Sequence, residues 1–115
     1  MRIITLKGDY GYKKSEVFSG LICMIHFEEK DNIKIIEKST RKIIALAKTH
    51  PIILVPFAHL YENSAKTDTA REFFNNLAKI LKNNYSEVIV APFQLTKELY
   101  LYIKADDSLI KFLNF

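Results

Sequence analysis

The sequence is poor in the residues that mark unusual architectures. Its 115 residues include one cysteine, three glycines and three prolines. A single cysteine excludes a disulfide framework and a cysteine-rich zinc site, and it makes a reduced, cytoplasmic setting the default expectation. So few glycines and prolines exclude a collagen-like or low-complexity chain. The longest apolar runs are about five residues, far shorter than a membrane-spanning helix, and Lys7 interrupts the apolar start, unlike a secretory signal.

The composition is that of an ordinary globular protein. Apolar residues make up 49% of the chain and charged residues 26%, which is typical of a chain that folds around one core. A length of 115 residues suits a single domain over residues 1–115 and would make two domains cramped. The formal net charge of +4 allows binding to a polyanion such as RNA without requiring it.

Short apolar runs bounded by turn residues predict five strands. The run at 21–25 is continuously apolar, which is typical of a strand buried on both faces. Pro56 lies inside a later run and indicates the end of a strand or an edge position. Tyr100 and Tyr102 alternate with aliphatic residues, so they are expected on one face of a strand. The predicted strands cover residues 1–6, 17–27, 52–57, 87–93 and 97–104.

Apolar residues at helical spacing predict two helices. Asp31 or Asn32 is expected to cap the first helix. Thr69 and Glu72 have the spacing of a capping box at the start of the second helix, and the pair Asn83-Asn84 is expected to end it. The predicted helices cover residues 31–48 and 70–81.

The remaining segments complete the predicted fold. A turn is expected at 8–11, where two glycines flank Asp9 and Tyr10, and a tail or helical turn is expected at 108–115. The predicted order is strand, strand, helix, strand, helix, strand, strand. The expected fold class is therefore α/β, with a mixed β-sheet and two main helices.

The motifs of common catalytic and cofactor sites are missing from the sequence. It contains no phosphate-binding loop, no dinucleotide fingerprint and no HExxH pattern, so no metal or cofactor is expected. Cys23 lies within an apolar run and is expected to be a buried, unreactive thiol. His26 ends the same run. His50 ends a predicted helix, where the helix dipole favours a cation, so a structural role is sufficient for it.

Two polar residues follow buried strands that both end in Pro-Phe. His59 follows the strand ending at Pro56-Phe57, and Lys97 follows the strand ending at Pro92-Phe93. Ligands of α/β sheets usually bind at strand ends, so the two side chains are expected to face one pocket. From the residues alone, a capping histidine and a solvated lysine remain the alternative.

Those strand ends resemble the archaeal editing domain of threonyl-tRNA synthetase, whose fold looks like that of D-aminoacyl-tRNA deacylase. The family's P-[FY]-A-H-L motif recurs at 56–60. Its A-P-F motif recurs at 91–93, with Lys97 four residues later. The family's opening Asp-Tyr pair recurs as Asp9-Tyr10, and the later elements follow in the same order. The resemblance covers most of the chain.

The resemblance implies hydrolysis of serine mistakenly attached to threonine tRNA. A synthetic site for threonine cannot strongly reject serine, because one methyl-sized group is worth only about 1–3 kcal/mol, so a second, hydrolytic site is needed. By resemblance, His59 orders the aminoacyl group and water, and Lys97 supports the water and the amino-acid pocket. Thr96 stands where the family usually has tyrosine. The implied substrate-binding residues are Phe57, Ala58, Pro92, Phe93 and Thr96.

The implied partners are the acceptor end of tRNA, a threonyl-tRNA synthetase and a second copy of the chain, and neither DNA nor a membrane is expected. A homodimer would cover apolar positions such as Tyr100, Tyr102 and Phe115. The candidate tRNA-binding residues are Lys13, Lys14, Lys66 and Arg71. Three alternatives stay open. The chain is an active free-standing or excised editing domain, a diverged module that binds tRNA or a synthetase without hydrolysis, or a different small α/β protein with coincidental motifs.

Overall fold

Six strands and two helices make up the fold in the part of the chain that the structure describes. A computed structural model describes residues 1–13, 16–57, 64–92, 100–103 and 110–115. In chain order the elements are β1 (Arg2–Lys13), β2 (Glu16–His26), α1 (Ile33–Ala47), β3 (Ile52–Pro56), α2 (Thr67–Asn84), β4 (Val88–Val90), β5 (Tyr100–Ile103) and β6 (Lys111–Asn114).

The strands form one mixed sheet in the order β4-β3-β2-β1-β5, and β6 also pairs with β1. β1 and β2 are antiparallel, whereas β2, β3 and β4 are mutually parallel. The three parallel strands therefore end at one edge, which we call the carboxyl edge and which is marked by His26, Pro56 and Val90. β5 pairs with residues 8–11 of β1 and β6 with residues 2–5, so the two short strands follow one another along one side of β1.

Both helices pack on one face of the sheet and bury the larger core cluster there. α1 contributes Ile36 and Ile43, and α2 contributes Leu77 and Leu81, all without solvent exposure. These residues recur at helical spacing, which places them on one side of each helix. Burying each of them fully contributes about 1.5–3 kcal/mol to folding, so this face supplies much of the driving force.

A smaller apolar cluster lies on the opposite face of the sheet. It includes Ile22, Ile53 and Val55, with Phe57 and Ile89 packed against it. Side chains alternate between the faces of a strand, so β2 and β3 contribute to both clusters. The expectation that the run at 21–25 is buried on both faces is confirmed.

Several local expectations are also confirmed. Asn32 caps α1, since its Oδ1 accepts a hydrogen bond from the Ile35 N–H at 3.1 Å. Pro56 is the last residue of β3, which lies between β2 and β4 and is not an edge strand. α2 ends at Asn84. The fold class is confirmed as α/β, with a mixed sheet and two helices.

The turn expected at 8–11 is wrong, because β1 continues through these residues as far as Lys13. Gly8 pairs with Gly20 on one side and with Ile103 on the other. A Cβ at Gly8 would lie 2.2 Å from the Tyr102 carbonyl oxygen. The glycine therefore allows β5 to approach β1 closely, and it does not turn the chain.

The tail or helical turn expected at 108–115 is also wrong, because residues 111–114 form strand β6. Leu113 pairs with Ile3, and the Phe115 N–H donates to the Met1 carbonyl oxygen at 2.9 Å. Leu113 and Phe115 pack against the larger core cluster, so Phe115 is partly buried rather than exposed. The exposed aromatic residue of this strand is Phe112, at 78%. Four residues are too few for their periodicity to distinguish a strand from a helical turn.

The capping box expected at the start of the second helix is wrong. α2 begins at Thr67, and its N-cap Lys66 makes no capping hydrogen bond through its side chain. Thr69 and Glu72 therefore lie inside the helix.

Candidate functional site

The candidate site lies at the carboxyl edge, where β3 ends at Pro56 and β4 ends at Val90. Leu54 and Val90 form the last register pair between these strands. Pro56 and Pro92 each lie two residues beyond that pair. Equivalent prolines therefore follow two adjacent parallel strands, at the sheet edge where α/β proteins bind their ligands.

Sheet hydrogen bonds hold the backbone beside each proline. The Phe57 N–H donates to the Ile25 carbonyl oxygen at 2.8 Å, and the Ala91 N–H donates to the Leu54 carbonyl oxygen at 2.9 Å. Proline has no N–H to donate, and the register between β3 and β4 ends at Leu54 and Val90, two residues before each proline, whereas β3 stays bonded to β2 as far as the Phe57 N–H.

An apolar surface lies beneath the two strand ends. Val55 and Ala91 are buried in the smaller cluster, and Phe57 packs against it while staying partly exposed. Pro92 is exposed. Of the predicted substrate-binding residues, Phe57 and Pro92 therefore lie at this edge.

The other predicted residues of the site fall outside the described residues. His59 is two residues beyond Phe57 in the chain, and Lys97 is five residues beyond Pro92. The substrate-binding candidates Ala58, Phe93 and Thr96 also lie outside the described ranges.

His26 also lies at the carboxyl edge, and the sequence pattern assigns it no functional role. It is the last residue of β2 and is 1% exposed. Its neighbour Ile25 pairs with Pro56, so His26 comes level with Phe57. The sequence signal for this position is a histidine that ends an apolar run parallel to the strand ending at Pro56.

A buried group of charges lies at the same edge, where β1 begins. The Met1 ammonium is 2.6 Å from Asp31 Oδ1 and 3.1 Å from Glu28 Oε1, and it also donates to the Phe115 carbonyl oxygen at 3.2 Å. Arg2 Nε lies 3.6 Å from Glu28 Oε1. Asp31 Oδ2 accepts a hydrogen bond from the Glu28 N–H at 2.7 Å. These contacts join the start of β1 to the segment that precedes α1.

The pKa of Glu28 reflects two opposing effects. Burial raises the pKa of this carboxyl group. The hydrogen bond from the Met1 ammonium, the charge of that ammonium and the charges of Lys30 and Arg2 lower it. The net pKa lies below the ordinary value for glutamate.

The predicted tRNA-binding residues differ in their surroundings. Lys66 is exposed immediately before α2. Arg71 is exposed and lies 3.6 Å from Asp68 Oδ1, one turn away on the same helix. The backbone of Lys13 ends β1, and Lys14 lies outside the described residues.

Cys23 does not provide a nucleophile. It is fully buried in β2, and burial raises the pKa of its thiol far above the ordinary value, so the reactive thiolate is not formed near neutral pH. Within the described ranges, no group of three histidine, cysteine or carboxylate side chains could hold a metal ion. No helix in that part of the chain is long and apolar enough to span a membrane.

Comparison with solved structures defines the class of fold. The c-Myc DNA Unwinding Element Binding Protein matches with a TM-score of 0.73 and 15% sequence identity, over 98% of this chain and 97% of that chain. The shared architecture is the D-aminoacyl-tRNA deacylase-like fold.

Sequence comparison then gives the family. Residues 4–111 match the archaea-specific editing domain of threonyl-tRNA synthetase, and the chain belongs to this family. It is 31% identical over 84 residues to the threonine–tRNA ligase editing subunit of Saccharolobus solfataricus, covering 70% of this chain and 22% of that one. It is 35% identical over 85 residues to the threonine–tRNA ligase of Staphylothermus marinus, covering 70% and 14%. The chain thus spans less than a quarter of the length of either relative.

Proposed function

We propose that residues 1–115 form one editing domain that hydrolyses the ester of mischarged Ser-tRNA(Thr). The observation that carries the proposal is the register of the two strand ends. Pro56 and Pro92 each lie two residues beyond the last register pair, Leu54 and Val90, and each is followed in the chain by a residue of the family motif, His59 or Lys97. Membership of the family supports editing in general.

The reaction needs a positioned water and stabilisation of the negative charge that develops on the ester oxygen. In this proposal Lys97 holds the water and offsets the developing charge. His59 orders the aminoacyl group by hydrogen bonding, for which its neutral form suffices. Backbone groups at the strand ends and the 2′-hydroxyl of the RNA supply the remaining stabilisation. No metal or other cofactor takes part.

The proposed amino-acid pocket lies against the apolar surface at the carboxyl edge. Phe57 provides part of its wall, since it packs against the smaller cluster at the end of β3. The proposed substrate-binding set is Phe57, Ala58, Pro92, Phe93 and Thr96.

The test is a deacylation assay with Ser-tRNA(Thr), Thr-tRNA(Thr) and a D-aminoacyl-tRNA. We expect preferential hydrolysis of Ser-tRNA(Thr). Lys97→Ala should lower kcat by at least about tenfold. The loss should stay below the factor of about 10²–10³ that is typical of a lost oxyanion-hole donor, because other groups also stabilise the developing negative charge. His59→Ala should slow the reaction by a smaller factor, and tRNA affinity should change little in both variants. Lys82→Ala, at an exposed position near the end of α2, is the matched control.

The results of this assay also test the second candidate function, a binding module without hydrolysis. Thr96 in place of the family's usual tyrosine favours this candidate. If both variants hydrolyse Ser-tRNA(Thr) at the unmodified rate, His59 and Lys97 are structural here. If the unmodified protein hydrolyses no aminoacyl-tRNA but still binds tRNA, the binding module becomes the better description.

We further propose that the domain is a homodimer that works in the cytoplasm beside a threonyl-tRNA synthetase. β5 and β6 expose Tyr100, Leu101, Tyr102 and Phe112, each more than 40% accessible. Exposed strands with apolar side chains tend to pair with another chain. Sedimentation velocity should give a dimer at micromolar concentration, and Phe112→Glu should shift it to monomer. A monomer up to high micromolar concentration would contradict this proposal.

A further inference from the structure

The outer side of α1 carries a row of positive charge that no part of the proposed active site uses. Four cations, which we call the basic stripe, are exposed there: Lys34, Lys38, Arg41 and Lys42. With Glu37 they give the fifteen residues of α1 a net charge of +3, against +4 for the whole chain. At 3.6 residues per turn, Lys34, Lys38 and Arg41 fall within an arc of about 60°, opposite the buried side of the helix.

The basic stripe contributes little to the stability of α1, because Glu37 is the one carboxylate within the helix, three residues from Lys34 and four from Arg41. Lys38 has like-charged neighbours at Lys34, Arg41 and Lys42, at spacings of three or four residues that weaken a helix. Lys34 also lies in the first turn, where the helix dipole disfavours a cation, and that turn contains no acidic residue. Among the residues described by the structure, no carboxylate forms an ion pair with any of the four cations. Charges placed against the spacing and dipole preferences of a helix are found mainly where function requires them.

The exposed side of α2 provides an internal comparison. Asp68 and Glu72 are interspersed with its cations, and Arg71 is paired with Asp68 at 3.6 Å. This mixture of signs is typical of a solvated helix surface. On α1 one exposed carboxylate, Glu37, accompanies four exposed cations, so the excess of positive charge is a property of α1 and is not shared by α2.

We propose that the basic stripe binds the phosphate backbone of the tRNA stem while the 3′ end reaches the carboxyl edge. α1 begins at that edge, since Asp31, two residues before the helix, contacts the Met1 ammonium. The three cations of the narrow arc extend about 10 Å along the helix from there, a suitable track for successive phosphates. Lys66 is also exposed at the start of α2, a helix that, like α1, follows a strand ending at the carboxyl edge. The inference rests on the proposed function for the identity of the RNA.

Charge complementarity favours RNA over a membrane surface as the occupant. A helix that lies in a membrane interface buries its apolar side in lipid. The apolar side of α1 is already buried, since Ile36, Ile43 and Ala47 have no solvent exposure. Apart from Ile33, which begins the helix and is half exposed, α1 therefore offers a partner mainly charge, which suits a polyanion.

The test compares two triple variants with the same net charge. The stripe variant is Lys34→Gln, Lys38→Gln and Arg41→Gln. The control variant is Lys79→Gln, Lys82→Gln and Lys111→Gln, at positions that are also exposed. Glutamine is a good helix former, which suits the five helical positions, and Lys111 is exposed in β6, so both variants should keep the fold, which circular dichroism checks. The binding of a tRNA(Thr) transcript that carries no amino acid is measured by fluorescence anisotropy between about 50 and 200 mM salt.

The stripe variant should bind at least about tenfold more weakly at the lowest salt, and the slope of log Kd against log salt should fall by about 2–3. The control should change both quantities much less. Equal losses in the two variants would show that net charge alone matters and would overturn the proposal, as would an unchanged stripe variant. Tighter binding of the unmodified protein to polyglutamate, or to vesicles of equal parts phosphatidylglycerol and phosphatidylcholine, than to tRNA would also overturn it.

Hydrolysis separates this proposal from the proposed function. A short aminoacylated 3′-terminal fragment lacks the stem, so the stripe variant should hydrolyse it at the unmodified rate while showing a raised KM for full-length Ser-tRNA(Thr). If the unmodified protein hydrolyses neither substrate, the proposed function fails, and the anisotropy comparison still decides the role of the basic stripe.

Discussion

Two buried threonines should respond in opposite directions when their hydroxyl groups are replaced by methyl groups. Thr5, in β1, has no solvent exposure, and its Oγ1 has no hydrogen-bond partner among the residues that the structure describes. Thr40, in α1, is also buried, but its Oγ1 donates to the Ile36 carbonyl oxygen at 2.8 Å. Thr→Val keeps the shape of the side chain and removes the hydroxyl, so the pair isolates the value of one hydrogen bond.

The expected magnitudes follow from burial and bonding. A buried polar group without a partner costs about 1–3 kcal/mol, so Thr5→Val should raise the free energy of unfolding by about 1–2 kcal/mol. The added methyl group packs in a strand, where valine is favoured. Thr40→Val loses a net hydrogen bond and should lower the free energy of unfolding by about 0.5–1.5 kcal/mol. The Ile36 carbonyl keeps a second side-chain bond from Ser39, at 2.7 Å, which limits that loss.

Urea unfolding followed by far-ultraviolet circular dichroism at neutral pH measures both changes. The free energies of unfolding of the two variants should differ by about 1.5–3.5 kcal/mol, with unchanged m-values. In thermal unfolding each kcal/mol should shift Tm by about 4–8 °C. If Thr5→Val destabilises the protein as much as Thr40→Val does, the Thr5 hydroxyl has a partner in solution, and the reasoning from its isolation fails.

Two further predictions concern ionisable groups. Because the pKa of Glu28 is lowered in the folded protein, its contribution to stability is complete above the ordinary glutamate pKa of about 4.3 and is lost as the pH falls through the lowered value. Glu28→Gln should therefore be less stable than the unmodified protein at pH 7. Urea unfolding at several pH values should show that the difference in free energy of unfolding disappears below about pH 4. A difference that does not depend on pH would contradict the lowered pKa of Glu28. Because burial raises the pKa of the Cys23 thiol, this group should react with a thiol reagent such as DTNB only as fast as the protein unfolds, and fast labelling of the native protein would contradict its burial.

The periodicity of apolar residues was enough to predict the two helices and the buried strands. The apolar side chains of the run at 21–25 could all be buried only if this strand lay between two layers. The structure buries the strand on both faces. Asn32 could be assigned as a cap from local chemistry, because a side-chain oxygen at that position reaches the N–H of the first turn without help from distant residues. The equivalence of the strand ends at Pro56 and Pro92 was also visible in the sequence, because each proline terminates an apolar run.

The tertiary structure alone decided the elements whose conformation depends on distant partners. Glycine is typical of turns, but pairing with β2 and β5 keeps Gly8 extended. Its missing Cβ leaves room for the carbonyl oxygen of Tyr102 in β5. Residues 111–114 are too short to show a period, and their pairing with β1 makes them a strand. The buried ion pair of the Met1 ammonium with Asp31 joins residues thirty positions apart, a distance at which local pattern carries no information. The basic stripe depends on both the sequence and the tertiary structure. Its spacing is written in the sequence, but only the packing of α1 on the sheet shows that all four cations face outward and begin at the carboxyl edge.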